Sequence, residues 1–190
     1  SKRGILVEHY IISSGLREII EGTAIAKDFT HIYASSFYYN EHGEPCWPAQ
    51  VINYTNKTQF LFRIEKGILD INDNAVNDHF AEGELRVPFR NIVYIGDSAT
   101  DIPCMRLVNS LGGHSVGVYD LENTASKDTV RRMIRDERIR YYVQADYTKG
   151  SEMDILLHQI IDKTAAYEVL EEKHLRDRKE AIIQHMEGQL

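Results

Sequence analysis

Cysteine is scarce in this chain: Cys46 and Cys104 are the two among 190 residues. They lie far apart and form no CxxC pair, which excludes a disulfide framework and fits a reducing, cytoplasmic setting. Long apolar runs are missing as well. None approaches the eighteen or so residues of a membrane span, so no membrane partner is expected. The start, SKRGILVEHYIISSG, sets basic residues before an apolar stretch. Glu8 and His9 break that stretch and no small-residue cleavage pattern follows, so it is not read as a signal peptide. Positive charge is in deficit, with 22 Lys and Arg against 29 Asp and Glu and a formal net charge of −7. Nucleic acid is therefore not an expected partner. The eight histidines show no HxxxH spacing, which argues against a histidine metal site.

Against these absences stands an ordinary globular composition, 43% hydrophobic and 27% charged. Strand-length apolar runs alternate with helical patterns. Ile5–Ile12 reads as a strand and Leu16–Ile20 as a short helix after it. His31–Tyr54 reads as extended chain, folded into a hairpin at Asn40-Glu41-His42-Gly43. Thr55 or Asn56 is placed to cap a helix that presents Phe60, Leu61 and Ile64 and stops at Gly67. Leu69–Glu84 reads as acidic loop and a short helix. Asn91–Ile95 is a strand, and Ile102–Leu111 a helix with Pro103 in its first turn. His114–Tyr119, Thr124–Asp136 and Tyr141–Ala145 follow as strand, helix and strand. From Ser151 onward the pattern is helical.

This order predicts an α/β protein: a Rossmann-like, three-layer α/β/α parallel sheet with a β-hairpin insertion and a long C-terminal helix. Residues 1–150 form the core, and 151–190 a helical extension packed on it. A homodimer through that helix is the alternative use of its apolar stripe.

Three short features fall at strand ends or helix starts, the edge of a parallel sheet where ligands bind. They are Ser13-Ser14-Gly15, then Asn56-Lys57-Thr58, then Gly96-Asp97-Ser98-Ala99-Thr100-Asp101. Each has an ordinary structural reading as turn, cap or solvated surface. The last is the most informative. Asp97 and Asp101 concentrate negative charge beside one strand end, which is costly unless a cation or a lysine lies between them.

Their order resembles motifs two, three and four of the haloacid dehalogenase (HAD) superfamily, nearest to its phosphoserine-phosphatase-like branch. The residues that carry the resemblance are Tyr10-Ile11-Ile12-Ser13-Ser14-Gly15, Lys57 within NKTQFLFRIEKG, and Tyr94-Ile95-Gly96-Asp97-Ser98-Ala99-Thr100-Asp101-Ile102-Pro103. It spans roughly Ile5 to Tyr147 and makes 1–150 a HAD-like core holding motifs two to four. The resemblance implies a Mg²⁺-dependent phosphatase that hydrolyses a small phosphorylated metabolite through an aspartyl-phosphate. Ser13, with the backbone N–H groups of Ser14 and Gly15 at a helix start, would bind phosphoryl oxygens, with Thr100 also on the phosphate-binding side. Lys57 would neutralise charge shared by nucleophile and phosphate. Asp97 would ligate Mg²⁺, and Asp101 would hold Lys57 or a metal-bound water.

Ser98 and Thr100 depart from the Gly-Asp-Gly-x-Asn-Asp of phosphoserine phosphatases, so serine-phosphate specificity does not carry over. Motif one, an apolar strand ending in Asp-x-Asp-x-Thr or Val, is missing before Ser13. Leu69-Asp70-Ile71-Asn72-Asp73 imitates it weakly and is read as a surface loop. The expectation is therefore that the nucleophile lies upstream and that these 190 residues alone do not turn over. The rival expectation is a non-catalytic α/β module that binds a phosphate-bearing ligand or a protein. A receiver-like regulatory domain pairs acids with lysine too, but in a different chain order.

Three further groups have plainer readings. The aromatic set Tyr33, Phe37, Tyr38, Tyr39 and Trp47 is expected to cover a sheet edge. The cluster Arg131, Arg132, Arg135, Arg138 and Arg140 reads as a solvated helix face. Cys104 reads as a small buried residue.

Overall fold

The computed structural model describes residues 4–187, which leaves Lys2 and Arg3 of the basic start outside the described residues. It is a mixed α/β protein with two three-stranded sheets and a long C-terminal helix. Chain packing separates two compact units, Glu8–Ala145 and the described residues that precede and follow it.

In the larger unit β1 (Tyr10–Leu16) lies parallel to β2 (His31–Tyr39), and β2 pairs antiparallel with β3 (Pro45–Gln50). The five-residue helix α1 (Arg17–Glu21) follows β1 directly. The hairpin between β2 and β3 turns at Asn40–Glu44. Asn40 Oδ1 accepts from the N–H groups of His42 at 3.0 Å and Glu44 at 2.9 Å, an Asx arrangement that adds to the backbone bond from Asn40 N–H to Glu44 O at 3.0 Å. Strand β1 starts later than its apolar pattern suggests. Ile5 to Val7 fall outside the sheet, and the strand instead runs on through Ser13-Ser14-Gly15.

Helix α2 (Thr58–Lys66) buries Phe60, Leu61 and Ile64 and ends at Gly67, whose φ of 74° is the left-handed cap expected of glycine. Phe60 and Ile64 join Tyr33 and Ile52 in one core, flanked by Tyr10, Ile12, Leu69 and Val87. Neither Thr55 nor Asn56 caps this helix. Both side chains serve the preceding turn: Thr55 Oγ1 donates to Asn53 Oδ1, and Asn56 Oδ1 accepts from Asn53 N–H. Lys57 takes the cap position without a side-chain bond to the helix.

The acidic stretch after α2 forms 3-10 turns at Asn74–Asn77 and Glu82–Glu84 rather than a helix of normal length. Buried Arg63 holds its first part, donating to the carbonyls of Asp70 at 2.6 Å, Ile71 at 2.8 Å and Asp73 at 3.2 Å. Asp70 and Asp73 spend their own carboxylates on N–H groups of Asn72 and Ala75. This segment is a clamped surface loop, as the sequence suggests.

The second sheet is wholly parallel: β4 (Val93–Gly96), β5 (His114–Tyr119) and β6 (Tyr141–Gln144), joined by α3 (Ile102–Ser110) and α4 (Thr124–Arg135). Successive parallel neighbours joined by right-handed crossovers, the general rule, would carry both helices on one face. Accordingly Cys104, Met105 and Val108 of α3 share one core with Val130 and Met133 of α4 and with Tyr94, Tyr119 and Ile139. Strand β5 is buried along its whole length, the pattern of an inner parallel strand.

The aromatic set divides. Tyr33 is 1% exposed and belongs to the core, whereas Tyr38 and Trp47, paired across the hairpin, are 62% and 73% exposed. In the smaller unit α5 (Glu152–Glu187) runs 36 residues, roughly 54 Å at about 1.5 Å per residue. Ser151 caps it by accepting from Asp154 N–H at 3.2 Å. No described helix is long and apolar enough to cross a membrane.

Candidate functional site

Lys57 and Asp101 meet. Lys57 stands at the start of α2, and Asp101 ends the 3-10 turn Ala99–Asp101 that leads from β4 into α3. Lys57 Nζ lies 2.7 Å from Asp101 Oδ1, with side chains 7% and 9% exposed. A buried charge needs such a partner and further hydrogen bonds to the remaining lone pairs. Asp101 has them: Tyr94 OH donates to Oδ1 at 2.9 Å, and Ser98 Oγ to Oδ2 at 3.2 Å. Ser98 Oγ also lies 2.7 Å from Thr100 Oγ1, which ties Thr100 into the turn.

Period-two alternation puts Tyr94 and Gly96 on the same, buried face of β4. That face is where Asp101 folds back. A Cβ on Gly96 would sit 2.8 Å from Asp101 Cβ and 2.8 Å from Met105 Cε, so only glycine lets the carboxylate pack against the strand end. Burial pushes the Tyr94 hydroxyl well above its usual range, reinforced by Cys104 and Asp101 beside it, and so keeps it a proton donor. Burial likewise pushes the Cys104 thiol up to about 11, although Tyr94 and Lys57 pull the other way. A thiol held neutral is no nucleophile, and Cys104 is a core residue, as expected.

Asp97 differs from Asp101. It is exposed and its carboxylate has no partner among the described residues. The turn thus presents one free carboxylate outward and one buried carboxylate locked to lysine. No group of three His, Cys, Asp or Glu side chains among the described residues could hold a metal ion. Asp97 would supply a single ligand, so these residues do not by themselves fit a bound Mg²⁺, which needs several oxygens from side chains, substrate and water.

Ser13, Ser14 and Gly15 depart from expectation. They lie inside β1 rather than at a helix start, because the strand register slips between Ile12↔Tyr33 and Leu16↔Ser35. Four steps along β1 match two along β2, and the extra residues bulge at the strand's end. The Gly15 N–H is already used, donating to Ser13 Oγ at 3.0 Å. Ser14 O accepts from Ser35 Oγ, which in turn accepts from Ile52 N–H. The amide cradle expected at a helix N-terminus is therefore not formed by Ser14 and Gly15. The five-residue α1 begins only at Arg17.

Tyr94 stands in the run that carries the resemblance, but its bond to Asp101 is a role that motif reading misses. Its signal is its place two residues before Gly96, on the face that Asp101 covers.

No family model matches the chain. It is similar to an uncharacterized protein of Borreliella burgdorferi, at 24% identity over 161 residues, covering 77% of this chain and 55% of that protein. The chain thus spans about half the length of this relative. No solved structure matches.

Proposed function

We propose that these residues belong to the core of a HAD-like phosphatase acting on a small phosphomonoester. The observation that carries this reading is the buried Lys57–Asp101 pair, which joins two motif residues 44 positions apart at the ends of different elements. Phosphoryl transfer needs fixed positive charge where negative charge gathers, held without reorganisation. Asp101 is the positioning residue here: it takes one of the three Nζ donors and leaves two for the reacting centre. Ser13, inside β1, would offer a hydroxyl to a phosphoryl oxygen, and Thr100 another from the turn. Asp97 would contribute one ligand to Mg²⁺, which when bound supplies charge neutralisation; further ligands would come from outside these 190 residues.

The nucleophile is assigned to a strand outside the 190 residues. Two features support this. Both β1 and β4 have a strand neighbour on one side only among the described residues, and Ile12 of β1 packs against the core that holds Tyr94 of β4. A strand entering between them would merge the two sheets into one and bring its carboxylate to the edge where Lys57 and Asp97 stand. In this reading the carboxylate attacks phosphorus, and the ester P–O bond breaks as the second aspartate of the upstream motif gives its proton to the leaving oxygen. Water, returning a proton to that aspartate, then hydrolyses the aspartyl-phosphate to free carboxylate and phosphate. The three-layer Rossmann-like architecture, with α5 packed on the core or paired with a second copy, belongs to the same proposal.

The test is phosphate release from an aryl phosphate by the full-length protein, with and without Mg²⁺. Mg²⁺-dependent turnover supports the enzyme. Its absence in a folded full-length chain would favour the rival, a non-catalytic module that binds a phosphate-bearing ligand or a protein.

A further inference from the structure

The larger unit contains a cavity of about 210 Å³ beside the Ala99–Asp101 turn. Ala99 and Ile102 form one wall, and Arg132, Met133, Asp136 and Arg138 contribute to the rest. Neither Lys57 nor Asp101 lines it, so it is separate from the pair described above.

The way α4 ends brings Arg138 there. Arg138 N–H donates to Met133 O at 2.8 Å and Glu137 N–H to Ile134 O at 3.0 Å, the two bonds of a Schellman motif. Glu137 occupies the left-handed position at φ 54°, the one non-glycine residue with positive φ among the described residues. Glycine ordinarily fills that place, because a Cβ is strained there. The reversal sets Arg138 on the same wall as Arg132. Neither guanidinium has an ion pair or hydrogen bond among the described residues. Asp136, the acid on that wall, already accepts from Arg135 Nε at 3.1 Å. In a chain with a net charge of −7, these residues leave one concave site positive.

We infer that this cavity binds a small oxyanion, a phosphate or a carboxylate, between Arg132 and Arg138. The planar guanidinium presents paired donors that match both groups. The volume lies below the ~300–1,000 Å³ of pockets for drug-sized ligands, which limits the ligand to a small molecule or a terminal group. Arg131, Arg132, Arg135, Arg138 and Arg140 are all exposed, as the solvated reading expects, and Arg132 and Arg138 also line this cavity. Its occupancy does not depend on the phosphatase reading.

The test is a heteronuclear NMR titration of the 190-residue chain with inorganic phosphate and, separately, with malonate. Saturable shifts at Ala99, Ile102 and Met133 are expected for at least one of the two, and the one that saturates identifies the group recognised. Arg132→Ala and Arg138→Ala should each weaken that binding by about tenfold or more, with the rest of the spectrum unchanged. Glu137→Gly keeps the Schellman geometry and should retain it. Phosphate shifts confined to Ser13 and Lys57, binding that persists in the Arg132→Ala/Arg138→Ala double variant, or no saturable binding of either anion would each overturn the inference.

Discussion

Lys57 Nζ and Asp101 Oδ1 form a 2.7 Å ion pair in which both side chains are less than a tenth exposed. The pair links the helix after the hairpin to the turn after β4, so it joins the two halves of the larger unit. Removing one member strands the other charge in a poorly solvated place, at a cost of about 3–5 kcal/mol. Lys57→Met and Asp101→Asn should each show that loss in urea unfolding. The double variant should fall short of the summed losses by about 1 kcal/mol or more. Additive losses would mean that the two charges do not support one another.

Gly96→Ala tests the close packing behind that pair. The added methyl meets Asp101 and Met105 inside van der Waals distance, which costs about 1–3 kcal/mol of overpacking and pushes the carboxylate away from lysine. The urea midpoint should drop accordingly. An unchanged midpoint would show that the turn has room the geometry denies it.

Tyr33 makes the fold sensitive to alkali. Burial pushes its hydroxyl up to about 12 from an ordinary 10.0, and its OH donates to Leu69 O at 2.9 Å. Above pH 10 the unfolded chain releases this proton while the folded chain keeps it, so stability falls as pH rises. The contribution is whole below about pH 10 and is lost on the way to about pH 12. Tyr33→Phe should flatten this part of the stability profile. A Tyr33→Phe protein with the wild-type alkaline slope would contradict the assignment.

The two thiols should separate cleanly. Cys46 is exposed, whereas Cys104 is fully buried with its thiol pushed up to about 11. A disulfide reagent at neutral pH should titrate one thiol in the native protein and both in denaturant. Rapid reaction of two native thiols would place Cys104 outside the core.

Much of this arrangement is legible in the sequence because it depends on local spacing. Pro103, Gly67 and the Asn40 turn mark element ends by backbone chemistry alone, and the Gly-Asp-x-x-x-Asp run fixes its own turn. The Lys57–Asp101 contact can be expected because two carboxylates at one strand end need a compensating cation. What stays hidden requires pairing information. The bulge at Ser13–Gly15 comes from the register of β1 against β2, which no single-strand pattern records. Thr55 and Asn56 look like caps, but Asn53 competes for them. Arg138 lies past the end of α4, and the reversal at Glu137 brings it onto one wall with Arg132.

If the turn after β4 serves phosphoryl transfer, Asp97 is the residue to change. Its carboxylate is exposed and has no partner among the described residues, so Asp97→Asn leaves the Lys57–Asp101 pair and the core intact. The decisive quantity is Mg²⁺-dependent phosphate release by the full-length protein carrying Asp97→Asn. A fall of roughly 100-fold or more is expected, from loss of the Asp97 carboxylate at the reacting centre, with an unchanged urea midpoint. Turnover at the wild-type rate would remove Asp97, and with it this turn, from the chemistry.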